Sequence, residues 1–215
     1  MLITIIILFA LLLTVKIFFS IKGNLFLKYL FTPLTTLAII LLPISHLYGN
    51  FSPYAVMITL ALIFSLVGDI FNMFEENVEF FLPFGIIFFV FAHVTYIVNF
   101  LKGYSFATFQ IFILIIVLIS LIATALIFKF KSNVHRIAIG IYSLITSATM
   151  VIASGNLGNS FGTKGMLITI GTMLFWLSDL ILGMHIFWKK IKFHTLFVWG
   201  LYAPGQLLIA LSCFY

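Results

Sequence analysis

Long stretches of this chain carry no charged side chain at all: Ala55 to Gly68, Phe80 to Leu101, Gly103 to Phe128 and Ile137 to Thr163. The first three are dominated by Leu, Ile, Phe and Val, and the fourth mixes these with Ala, Ser, Thr and Gly. An α-helix rises about 1.5 Å per residue and needs roughly 20 apolar residues to cross the hydrocarbon of a bilayer. Runs of that length fold as buried strands or soluble helices only if a polar exterior covers them, and this chain has none to offer. Charged residues make up 7% of its 215 positions and hydrophobic ones 64%, against about a quarter charged in a soluble domain. The missing water-facing surface must face lipid, and in lipid the backbone has to satisfy its own hydrogen bonds. The fold class is therefore all-α, a polytopic transmembrane helical bundle.

The apolar runs divide into about eight spans: residues 2–20, 25–42, 54–73, 81–101, 106–128, 134–154, 165–187 and 194–213. Short loops join them, so residues 1–215 read as a single integral membrane domain. Span 1 lacks a basic leader and a small-residue cleavage site, and is read as a retained helix. Basic residues sort by side. Lys16, Lys22, Lys28, Lys129, Lys131, Arg136, Lys189, Lys190 and Lys192 lie in or beside the loops after spans 1, 5 and 7, and only Lys102 and Lys164 lie at the other face. Basic loops stay cytoplasmic, which places both termini outside the cytoplasm in a cell membrane. The net charge of +6 then serves topology and anionic lipid, and nucleic acid is not expected as a partner. The lone Cys213 and five scattered His make neither a disulfide framework nor a metal-ligand spacing, so no metal and no cofactor are expected.

Only five residues are acidic. Glu75, Glu76 and Glu79 fall in the loop after span 3, whereas Asp69 and Asp179 fall inside apolar spans. A carboxyl group in hydrocarbon is costly unless paired or hydrated, and its default reading is functional. The alternative is an interhelical hydrogen bond that ties the bundle together. Both Asp sit within about two turns of the cytoplasmic ends of their spans, so they can face one cavity. His93 and Tyr96 share a face of span 4, as do Tyr202 and Gln206 on span 8. Ser65 stands one turn before Asp69, and Ser178 adjoins Asp179. Pro204 and Gly205 predict a kink or local unwinding in span 8. Spans 1, 2, 5 and 6 read as mainly structural. Gly68-Asp69-Ile70 and Ser178-Asp179-Leu180 echo each other four spans apart, which fits a weak four-plus-four repeat or chance.

These residues carry a resemblance. Ser65-Leu-Val-Gly-Asp69, Phe84-Gly85, Phe88-Phe89-Val-Phe-Ala92-His93-Val-Thr-Tyr96, Gly171-Thr-Met-Leu-Phe175-Trp-Leu-Ser178-Asp179 and Tyr202-Ala-Pro-Gly-Gln206 resemble the YhhN-like lysoplasmalogenase family, as does Pro33-Leu34-Thr35. The resemblance runs from span 2 to span 8. It implies an eight-helix hydrolase that cleaves the vinyl ether of lysoplasmalogens to a fatty aldehyde and glycerophospho-ethanolamine or -choline. The family tends to have Lys where this chain has Thr32, and Lys28, one turn earlier, is the candidate replacement as a phosphate contact.

Vinyl-ether hydrolysis delivers a proton to carbon and creates an oxocarbenium-like cation. Glycosidases meet a similar cation with two carboxyl groups. Asp69 and Asp179 are thus the candidate acid and base, with His93 holding water or tuning a neighbouring Asp. Ser65, Tyr96, Ser178, Tyr202, Gln206 and Lys28 are the candidate substrate-binding residues. The partner is a lysophospholipid lying among membrane lipids, with Glu75 or Glu76 favouring an amine headgroup. Two rival readings use the same residues: a proton- or ion-coupled transporter with Asp69, His93 and Asp179 as relay, and a non-catalytic lipid-binding protein. A haem or retinal protein fits less well, since no span carries a central Lys.

Overall fold

A computed structural model describes residues 1–74, 78–130, 133–158 and 162–215. Glu75, Glu76 and Lys131 lie outside the described residues, as does the side chain of Glu79. The described chain forms eight long helices: α1 (Leu2–Ile21), α2 (Leu25–Leu47), α3 (Pro53–Asn72), α4 (Val78–Phe100), α5 (Gln110–Ile127), α6 (Asn133–Ser154), α7 (Thr163–Phe187) and α8 (His194–Leu211). All eight segments are long and apolar enough to cross a membrane. The chain is a multi-pass membrane protein.

Helix starts follow local chemistry. Asn24 caps α2 by accepting from the Leu27 N–H, and Gly23, at φ +73°, makes the left-handed turn into it. Ser52 caps α3 ahead of Pro53. Most boundaries shift by one to three residues from the sequence reading, and two shift further. α2 was expected to end at Leu42, yet it continues through Pro43 to Leu47, because membrane helices tolerate proline where neighbours absorb the lost hydrogen bond. Span 5 was expected from Phe106, but α5 starts at Gln110. The Gln110 side chain accepts from the Ala107 N–H and donates to the Val151 carbonyl, which holds the preceding residues in a turn against α6.

α8 is the hub and packs on α1, α2, α3 and α7. α7 and α8 approach closely because Gly171 and Gly205 face each other. A Cβ built on either glycine would stand 2.7 Å from the other's carbonyl oxygen. Of the expected kink or local unwinding in α8, the unwinding is corrected: the helix runs continuously through Pro204 and Gly205, and Gly205 serves contact with α7. α4 packs on α3 and α6, and α5 leans on α6. Ile3, Ile7, Leu11 and Phe18 on α1 and Phe112, Ile116, Ile119 and Leu126 on α5 are exposed, an apolar band suited to lipid. Phe89, Phe175 and Tyr202 form a wedge of mutually T-shaped rings at the centre, with centroids 5.0–6.0 Å apart. Gly68 lets Phe89 press against α3 beside Asp69.

Candidate active site

One end of the bundle encloses a cavity with about 1190 Å³ of unfilled space, part of it open to the outside. It lies where the C-terminal ends of α1, α3 and α7 meet the N-terminal ends of α2 and α8. Asp69, Asp179, Ser178, Tyr202 and Lys28 all line it. Sequence reasoning brought the two carboxyl groups to one cavity, and the fold puts them there from α3 and α7.

Each carboxyl is held by hydroxyls. The Asp69 Oδ2 accepts from Thr36 at 2.5 Å and from Tyr202 at 3.0 Å. Asp69 is 4% exposed. The Asp179 Oδ2 accepts from the Tyr142 hydroxyl at 2.8 Å and stands 3.9 Å from His93 Nε2. Its side chain is 16% exposed, the more accessible of the two. His93 is fixed from behind: its Nδ1 lies 3.2 Å from the Thr149 hydroxyl, and its ring packs 4.6 Å from Phe175. His93 Nε2 is buried and makes no hydrogen bond among the described residues, so it faces Asp179 as an unsatisfied polar atom.

His93 itself does not line the cavity but stands behind Asp179, and three other candidates do not reach it either. The Tyr96 hydroxyl donates to Gln206 Oε1 at 2.5 Å, and Gln206 Nε2 donates to Ser65 Oγ at 3.0 Å. This buried chain ties α4, α8 and α3 together away from the cavity wall. Tyr96 thus pairs with Gln206 while its helix-face neighbour His93 pairs elsewhere. Ser178 lines the cavity, but its hydroxyl donates to the Val198 carbonyl on α8 at 3.0 Å and not to Asp179. Lys28 and Thr32 stand one turn apart on the wall, with the Thr32 hydroxyl donating to the Lys28 carbonyl.

Four residues were missed, three on the wall and Thr36 behind Asp69. Lys16 on α1 is 1% exposed, with its ammonium 3.4 Å over the ring of Trp199 on α8 and within electrostatic range of Asp69. Tyr142 on α6, Thr36 on α2 and Trp199 complete the set. Spans 1, 2 and 6, read as mainly structural, therefore each send a polar side chain to the carboxyl groups or beside them. The α5–α7 side of the lining mixes Leu121, Phe128, Leu180 and Ile186 with the hydroxyls of Ser120, Thr124, Ser143, Thr146 and Ser147. Among the described residues, no three His, Cys, Asp or Glu side chains gather to hold a metal ion.

Comparison with known proteins agrees in extent with this layout. A search of curated proteins and one of solved structures return no match. The YhhN family matches residues 27–213, from the first turns of α2 to the last turn after α8. The chain belongs to the YhhN family.

Proposed function

We propose that the protein is a membrane-embedded lysoplasmalogenase, an ether hydrolase acting on the vinyl-ether bond of lysoplasmenyl-ethanolamine or -choline. One observation carries the reading: two carboxyl groups from different helices share a cavity that Lys16 and Lys28 also line from α1 and α2, and Leu121, Phe128 and Leu180 from α5 and α7. A single-chain lipid likewise joins a charged head to an apolar tail. Its tail lies along Leu121, Phe128 and Leu180, which sets the ether between Asp69 and Asp179.

Asp179 is the general acid in this scheme. It is the more accessible carboxyl, it has one hydroxyl donor, and the unsatisfied His93 nitrogen faces it. Its proton goes to the alkenyl carbon β to the ether oxygen, leaving the cation on the α carbon. Asp69, with two hydroxyls donating into one oxygen, has the setting of a carboxylate and stabilises that cation. Water then adds to the α carbon and gives up a proton to a carboxylate. The hemiacetal C–O bond then breaks: the glycerol oxygen takes the proton from the carboxyl group, the hemiacetal hydroxyl gives its own proton to the carboxylate, and the fatty aldehyde leaves with the acid regenerated.

The test is aldehyde release from lysoplasmenylethanolamine by the detergent-purified chain. Turnover by wild type is expected, with a loss of about 10²-fold or more in kcat for Asp69→Asn and Asp179→Asn. No turnover by the folded wild type overturns the substrate, and full activity in both variants overturns the mechanism.

A further inference from the structure

Ser65, Tyr96 and Gln206 are polar side chains inside the bundle that the proposed chemistry does not use. None of them lines the cavity, and all three are fully buried. A buried polar group is costly unless it is hydrogen-bonded, and the helix register supplies the partners. Ser65 and Asp69 stand four residues apart on one face of α3, and Tyr202 and Gln206 stand four apart on one face of α8. The two helices run in opposite directions, so these faces meet as two rungs. Tyr202 donates to Asp69 at 3.0 Å in the cavity wall, and one turn further into the bundle Gln206 donates to Ser65 at 3.0 Å. Tyr96 closes the inner rung from α4 by donating to Gln206 Oε1 at 2.5 Å. With its carbonyl turned to Tyr96, the Gln206 amide is fixed, and along α8 it also interacts with the Tyr202 hydroxyl.

We infer that Gln206, clamped by Tyr96 and Ser65, is a positioning residue that sets the Tyr202 hydroxyl on Asp69 and acts on the chemical step without touching the lipid. This rests on the hydrolase reading for the step affected, whereas the placement of Tyr202 is a property of the folded chain. α3 packs mainly on α4, and α8 mainly on α7, so the two rungs carry much of what registers α3 against α8. The outer rung borders the cavity, where a bound molecule can compete for the Tyr202 hydroxyl. The inner rung is shut away from it and holds the spacing that the outer rung needs. Linked hydrogen bonds also polarise one another, so a donor fixed on Gln206 strengthens the donor that Tyr202 offers to Asp69. Two other roles compete with this one. A substrate contact, as the resemblance implies for these residues, would act on lipid affinity. A plain tie between helices would leave the surroundings of Asp69 unchanged.

Two readouts separate the three roles, and the first needs no turnover. The chain has only five acidic residues, so the infrared carboxyl band of Asp69 is isolated as the difference between the full chain in detergent and Asp69→Asn. Tyr202→Phe should shift that band, because Asp69 loses a donor. Gln206→Leu should shift it in the same direction, and the double variant should go no further than Tyr202→Phe alone. The second readout is the same cycle in kcat for aldehyde release from lysoplasmenylethanolamine. Gln206→Leu should lower kcat about three-fold, no more than Tyr202→Phe does, and add nothing in the Tyr202→Phe background. Affinity for a non-hydrolysable 1-alkyl lysophospholipid should stay within about two-fold. Ser65→Ala should shift the band in smaller measure, which keeps the test available if Gln206→Leu does not fold. The inference is overturned if the Asp69 band stays in place in the folded variants, or if the effects of Gln206→Leu and Tyr202→Phe add. Loss of lipid affinity with kcat intact also overturns it and makes Gln206 a substrate contact. A coupled band shift in a chain whose wild type releases no aldehyde removes the hydrolase assignment and leaves the positioning of Tyr202 standing.

Discussion

A hydrogen bond inside a membrane protein contributes modestly, about 0.6 kcal/mol on average, yet it fixes which atom faces which. The two Asp illustrate the second effect. Among the described residues, Tyr142 is the one hydroxyl donor to Asp179, while Asp69 has both Thr36 and Tyr202. Removing a phenol should therefore matter unequally. Tyr142→Phe is expected to lower kcat about ten-fold or more, because it frees the acid to rotate away from its working geometry. Tyr202→Phe should cost less, since Thr36 still holds the same Asp69 oxygen. Steady-state aldehyde release from both variants checks this, and the reverse order would exchange the roles of the two carboxyl groups. Ser178→Ala makes a contrasting case. Its hydroxyl is committed to the Val198 carbonyl, so the variant should lose about 1 kcal/mol of stability and keep its kcat within a few-fold.

At the scale of helices, legibility in the sequence depended on whether a residue was out of place. Asp69 and Asp179 stood out because ionisable groups are rare in hydrocarbon, and their joint depth followed from counting residues to the helix ends. Lys16 did not stand out. At a span end it reads as a topology marker, and only the packing of α1 on α8 reveals that it turns inward. Thr36 was silent for another reason: a helical threonine ordinarily bonds the carbonyl one turn back, as Thr32, Thr35 and Thr59 do here, and Thr36 departs from this to reach Asp69. Pro204-Gly205 was legible as special, but its use was misread. Glycine there permits contact between helices, and the carbonyl of Gly171 occupies the place where a side chain would go. Gly205→Ala should then force α8 away from α7 and cost about 1–3 kcal/mol. The measurement is thermal unfolding in detergent, with Gly200→Ala as control, since nothing lies within 4 Å of a Cβ at that position.

For the molecule as a whole, the remaining question is which side of the membrane the cavity faces. Eight crossings put both termini on one side, and the cavity opens at the other end, where α1, α3 and α7 finish. That end carries nine of the eleven Lys and Arg residues, and basic loops remain in the cytoplasm. The cavity is thus expected to draw its lipid from the cytoplasmic leaflet. Two exposed loop positions report on this in a Cys213→Ala background: Lys189, between α7 and α8, and Gly49, between α2 and α3. A membrane-impermeant maleimide should label Lys189→Cys in inverted vesicles only, and Gly49→Cys in right-side-out vesicles only. The opposite pattern would turn the basic end outward and require an outer-leaflet substrate. The two outcomes carry different chemistry. On the proposed hydrolase reading, a cytoplasmic mouth would release the aldehyde where soluble enzymes can oxidise or reduce it. An outward mouth would discharge it beyond their reach, so on that reading the labelling pattern also decides which side must detoxify the product.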